Sequence, residues 1–308
     1  MQNMNNNEVS ELLVRDLLRE KRADRFWKNL RFVFWFALFG LTIFGIFHLV
    51  NQSSSAPSTI KGEKYTALIR LDGMIAPGRS FSAEEIIPVL EDAFNDKNAA
   101  GVVIDINSPG GTPVQAAIIH DAIISLKNKY HKKVIIVGED LLTSGAYYVA
   151  VAADKIYVNP NTITGSIGVI VKGFGFVDLM KKMGVERRVY TAGTNKDRMD
   201  PFLPQNPEDL KKIQEVMEQV HQHFVQAVLA GRKGKLHGDP NTMFTGDFWS
   251  GDVALKMGLV DGLGNLMDVM DREFGTTKYT EYGGESGLLR LLGGPLNSLF
   301  DSMFYVYS

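Results

Sequence analysis

Residues 101–137 read GVVIDINSPGGTPVQAAIIHDAIISLKNKYHKKVIIV, and the architecture follows from how this stretch divides. Gly101–Ile106 is a short apolar run rich in β-branched residues, the signature of a buried strand. Asn107–Gly111 (NSPGG) breaks it with turn residues, and Pro113–Tyr130 then shows a helical pattern. Val134–Val137 is a second buried strand. Two such strands joined by a helix of this length form a parallel crossover unit.

The same alternation extends outward. Tyr65–Leu71 reads as a strand and Ala83–Phe94 as a helix. Downstream, Gly145–Ala152 reads as a small-residue helix, Ile156–Val158 as a strand, Phe176–Met183 as a helix and Arg187–Tyr190 as a strand. Pro207–Leu229 is a long helix with Asn206 as its N-cap. The chain is therefore α/β with a largely parallel sheet. No internal repeat is evident.

Upstream, Phe32–Val50 (FVFWFALFGLTIFGIFHLV) contains no Asp, Glu, Lys or Arg. A helix of that length spans about 28 Å, close to the hydrocarbon core of a bilayer. Arg19, Lys21, Arg22, Arg25, Lys28 and Arg31 precede it, whereas only Lys61 and Lys64 follow closely. The positive-inside rule puts the N-terminal side in the cytoplasm and everything after residue 50 on the other side of the membrane. Ser54-Ser55-Ala56 imitates a signal-peptide cleavage site, but Pro57 would follow the cut and the apolar run is too long.

The expected organisation is a cytoplasmic segment over 1–31, an anchor over 32–50, a polar linker over 51–63, an α/β domain over 64–275 and an apolar tail over 276–308. Residues Val9, Leu12, Leu13, Leu17 and Leu18 suggest a short amphipathic helix before the anchor.

Composition excludes several chemistries. The 308 residues include no cysteine, which removes thiol nucleophiles, disulfides and Cys-ligated metals. A net charge of −2 gives no basic surplus for nucleic-acid binding. No metal, nucleotide or redox-cofactor pattern is found, so no cofactor is expected.

Three stretches could carry chemistry. The glycine pair Gly110-Gly111, at a strand-to-helix corner, leaves backbone N–H groups available to an anion or developing oxyanion, or makes only a tight turn. Ser144, in LTSGAYY, stands at a similar corner and reads as either a nucleophile or an ordinary N-cap. None of the six histidines has a carboxylate placed for a triad; His221 and His223, two residues apart on a helix, face different sides. A lysine base is then the natural alternative, although Lys196 alone reads as a surface-loop residue.

Taken together, SPGG after a strand, TSGAYY, TGSIGVI at 164–170, the loop lysine Lys196 and the later Thr245-Gly246 … Gly258-Leu259-Val260-Asp261 resemble the signal peptide peptidase A family. That resemblance implies a Clp-protease/crotonase-like fold with repeated β–β–α units behind a single N-terminal transmembrane helix. It further implies a Ser/Lys-dyad serine endopeptidase, anchored in the inner (plasma) membrane, that degrades cleaved signal peptides and other apolar peptides at the bilayer. Ser144 would be the nucleophile and Lys196 the general base. Gly111 and Gly145 would form the oxyanion hole, and Ser166 would orient the lysine. Short members form ring-shaped homo-oligomers in which adjacent subunits can complete one site. The alternatives are a non-catalytic membrane scaffold and an acyl-thioester enzyme.

The chemistry sets one requirement. A free lysine titrates near about 10.4, and lowering it to about 7.5 means disfavouring the cation by roughly 4 kcal/mol. Lys196 should therefore be desolvated in the active assembly. Its exposure in a single chain is compatible with that if another subunit buries it.

Overall fold

The computed structural model describes residues 27–45 and 63–283. They fall into two units, the first containing Trp27–Gly45 and the second spanning Ile60–Gly284. The expected amphipathic helix, residues 46–50 of the anchor and residues 284–308 of the tail lie outside the described residues.

Helix α1, Trp27–Gly45, is 19 residues long and apolar enough to cross a membrane. Among the described residues it includes Trp27–Arg31, before the charge-free run, as part of the same helix. Its large apolar side chains, Phe32, Trp35, Phe36 and Phe39 among them, are all exposed.

In the second unit β1 (Tyr65–Asp72), α2 (Ala83–Asn95), β2 (Ala99–Ser108), α3 (Pro113–Tyr130), β3 (Val134–Thr143) and α4 (Gly145–Ala150) follow one another. Next come β4 (Lys155–Val158), β5 (Ile163–Gly165), α5 (Val177–Met183), α6 (Pro207–Gly231) and α7 (Pro240–Met243). The order closes with β6 (Phe248–Ser250), α8 (Gly251–Lys256), β7 (Gly262–Leu263), α9 (Leu266–Phe274) and β8 (Tyr279–Tyr282). The main sheet order is β6-β5-β3-β2-β1-β8, with β4 paired to β3 and β7. Every pairing is parallel except β5 with β6.

Strand β3 positions the site. Its first part, Ile135–Gly138, pairs with β4, and its last part, Leu141–Thr143, pairs with β5. Two strand segments thus precede α4, as β4 and β5 precede α5, which is the β–β–α unit.

Local sequence explains the helices. Ser82 caps α2, its Oγ accepting from the Glu85 N–H at 3.4 Å, and Ile86, Leu90, Ala93 and Phe94 recur on one buried face. Pro113 opens α3, where a missing N–H costs nothing, and His131 closes it in the left-handed region. The core lies between the sheet and α2, α3 and α4, with Leu68, Val103, Ile135 and Tyr157 packing on the other face beneath α9.

Two expectations change. Arg187–Tyr190 forms no strand: Val189 and Tyr190 are exposed, and no neighbouring strand accepts their backbone. Tyr279–Tyr282, read with the tail, adds β8 to the sheet in parallel with β1.

Candidate active site

Ser144 stands between β3 and α4 with φ 53° and ψ −124°. Few non-glycine residues adopt that conformation, and holding it costs about 1–3 kcal/mol. Its neighbours enforce it. Ser144 N–H donates to Gly165 O at 2.8 Å, and the β3–β5 register sets Thr143 opposite Gly165. The sharp turn leaves the Ser144 side chain half-buried at a cavity rather than capping α4, with which it makes no capping bond.

The glycine pair approaches from β2. Ile75 N–H donates to Gly110 O at 2.9 Å, and Thr112 N–H donates to Ile75 O at 2.8 Å, which straps the NSPGG corner to the segment after β1. Gly110 has φ 98°, and a Cβ on it would lie 2.6 Å from the Gly145 nitrogen and 2.7 Å from Ser144 Cβ. Only glycine permits that approach. A Cβ on Gly145 would stand 3.2 Å from the Gly111 nitrogen, so the two N–H groups are close neighbours. Neither donates to a backbone acceptor among the described residues. Gly111, Ser144 and Gly145 thus line one pocket of about 110 Å³ with Ala116, Tyr148 and Phe224. Two unused donors beside a strained serine can receive the oxygen of a carbonyl under attack.

Ser166 follows β5 on the same side. It too has a left-handed φ, 51°, held by its N–H donating to Asp247 O at 2.7 Å. Ser144 and Ser166 border a larger cleft of about 840 Å³, with Val169 and Ile170 on an apolar wall and Glu215, Glu218 and His221 from α6.

Lys196 is placed differently. It is exposed in the irregular segment between α5 and α6, its N–H donating to Gly193 O at 3.2 Å, and it borders neither cavity at Ser144. The fold therefore brings Ser144, Gly111, Gly145 and Ser166 together within one chain and leaves Lys196 apart from their cavities.

Sequence reasoning overlooked the contribution of α6. His221 borders the cleft, its Nε2 lying 3.1 Å from Ile167 O. Val220 and Phe224 line the smaller pocket, and Phe224 packs on Tyr148 with ring centroids 5.0 Å apart. The i,i+4 pair Val220/Phe224 was the available signal, but helix periodicity does not reveal which cavity a face will meet.

Residues 127–275 match the family model of peptidase family S49. A putative protease of Synechocystis is 31% identical over 212 residues, covering 69% of this chain and 74% of that one. A putative signal peptide peptidase of Enterococcus faecium is 31% identical over 191 residues, 62% of this chain and 55% of the relative. A Brucella melitensis protein named Na(+)/H(+) antiporter NhaA is 43% identical over 213 residues, covering 68% of this chain. The match covers only 29% of that longer relative. With these matches, the chain belongs to peptidase family S49, the family of the signal peptide peptidase A proteins.

Proposed function

We propose that this protein is a membrane-anchored serine endopeptidase that cleaves apolar peptides, signal-peptide remnants among them, through a Ser144/Lys196 dyad. The observation that carries the reading is the strained Ser144 beside the unused N–H groups of Gly111 and Gly145. In this mechanism neutral Lys196 takes the Ser144 proton as Oγ attacks the peptide carbonyl. The Gly111 and Gly145 N–H groups stabilise the oxyanion, and the protonated lysine donates to the leaving amine. Lys196 then activates water, which releases the acyl group from Ser144 and restores the free hydroxyl. Ser166, bordering the same cleft, would orient the lysine by a hydrogen bond.

A second copy of the chain would bring Lys196 to the serine. In its favour, residues 169–203 present a broad apolar surface: Phe174 is 81% and Tyr190 90% exposed, and α5 buries no residue. Exposed apolar area of this kind marks an interaction surface, and covering it would supply the desolvation a lysine base requires. Helix α1 would anchor the assembly, with the peptidase domain outside the cytoplasm.

The test is cleavage of a synthetic signal peptide by the detergent-solubilised full chain, compared with Ser144→Ala and Lys196→Ala. Both substitutions should reduce kcat by at least about 10³-fold. Full activity in either variant would overturn the dyad.

A further inference from the structure

A second cavity opens on the opposite face of the sheet. Along β2, Ile104 and Ile106 face the main core, so Asp105 between them points the other way, toward the α9 side. There it borders a cavity of about 270 Å³ with Val137, Glu139, Asp140, Asn159 and Leu266.

The charge in this cavity is unbalanced. The Asp105 side chain is 3% exposed, and its Oδ2 accepts from Arg70 Nη1 at 2.5 Å. Its Oδ1 is buried with no hydrogen-bond partner. Arg70 cannot serve that oxygen fully, because the same guanidinium also faces Glu139 at 3.9 Å and Glu281 at 3.6 Å. Burial first, and Glu139 second, push the Asp105 carboxyl up to about 7 against the pull of Arg70. A buried carboxyl of this kind is relieved either by keeping its proton or by a positive group that reaches it.

The walls describe that group. Asn159, which also lines the cavity, is fixed by its Nδ2 donating to Asn265 Oδ1 at 2.9 Å and its Oδ1 accepting from the Asn161 N–H at 3.0 Å. Val137 and Leu266 supply apolar surface beside the acids. The space is several times the roughly 30 Å³ share of one water molecule, and no cluster of three metal-ligating side chains exists among the described residues. Carboxylates lining a chamber that is also partly apolar suit a cation carried on a methylene stem.

We infer that this cavity binds an alkylammonium or alkylguanidinium group, presented as the lysine or arginine side chain of a peptide, with Asp105 and Glu139 holding its charge. The site is separate from Ser144 and does not depend on the peptidase reading.

Calorimetric titration of the full chain in detergent, carrying Ser144→Ala, tests this with N-acetyl-lysine amide and N-acetyl-arginine amide. N-acetyl-norleucine amide and calcium chloride serve as comparison ligands. Saturable binding of a basic probe is expected, weakened at least about tenfold by Asp105→Asn and about threefold by Glu139→Gln. Glu218→Gln, at the other cleft, should leave it unchanged. The proposal fails if neither basic probe binds, if norleucine amide binds equally well, or if calcium binds and the amines do not. It also fails if Glu218→Gln abolishes binding while Asp105→Asn and Glu139→Gln do not. Should Asp105→Asn not fold, Glu139→Gln, at a side chain 46% exposed, decides the question.

Discussion

Gly110 shows how closely the site is built around a missing side chain. Its φ of 98° and the 2.6 Å approach to the Gly145 nitrogen leave no room for a methyl group. Gly110→Ala should therefore displace the glycine corner from Ser144 while the core, which this turn does not fill, stays folded. Misplacement by about 1 Å can cost about 10²-fold in rate, so kcat on a peptide ester should fall by that order with KM little changed. An unchanged kcat would mean that the corner does not carry the oxyanion. The SPGG pair and Ser144 were both visible in the sequence as turn chemistry. Their mutual distance was not, because it arises from the side-by-side pairing of β2 and β3.

At the scale of elements, one carboxylate adds a polar tie to the apolar packing that holds α9 on the sheet. Glu273, with a side chain 4% exposed, accepts from Lys133 at 2.5 Å, Lys155 at 2.8 Å and the Tyr157 hydroxyl. Burial works against its ionised form, yet those donors hold its pKa at about 2, below the ordinary 4.5. The folded state thus releases this proton more readily than the unfolded chain. Its stabilisation is complete above about pH 4.5 and is lost as pH falls toward about 2. Glu273→Ala should cost about 1–2 kcal/mol in urea unfolding at pH 7, because the lysines it leaves behind are 40% and 43% exposed, and flatten the pH dependence between about pH 4.5 and 2. An unaltered acid limb would assign acid unfolding to other carboxylates. Local pattern served the longer elements well: Pro113–Tyr130 is the helix its periodicity and N1 proline predict. It failed for β6, β7 and β8, of two to four residues each, whose existence depends on partners distant in sequence.

At the scale of the whole molecule, the question is whether one chain holds a complete site. Lys196 lies outside the cavities at Ser144, and the segment carrying it exposes Tyr190, Val189 and Met199. If a second copy supplies the lysine, mixing inactive Ser144→Ala and Lys196→Ala chains and allowing them to exchange should restore activity. Up to about a quarter of the wild-type rate is expected for random pairing of equal amounts, because only the intact serine paired with the intact lysine can react. No recovery after demonstrated subunit exchange would place both residues in one chain. The same arrangement makes activity per chain rise with protein concentration.

The α/β class, the apolar N-terminal helix, the absence of thiol chemistry and the residues of the serine corner could all be read from the sequence alone. They rest on local properties: periodicity, turn chemistry, charge and composition act over a few residues. Tertiary structure decided the rest. It set Ser144 and Ser166 side by side through the β3–β5 register, brought α6 to the cleft, added β8 to the sheet edge and buried Asp105 beside a cavity. Each of these joins residues far apart in the chain, and only packing determines which of them meet.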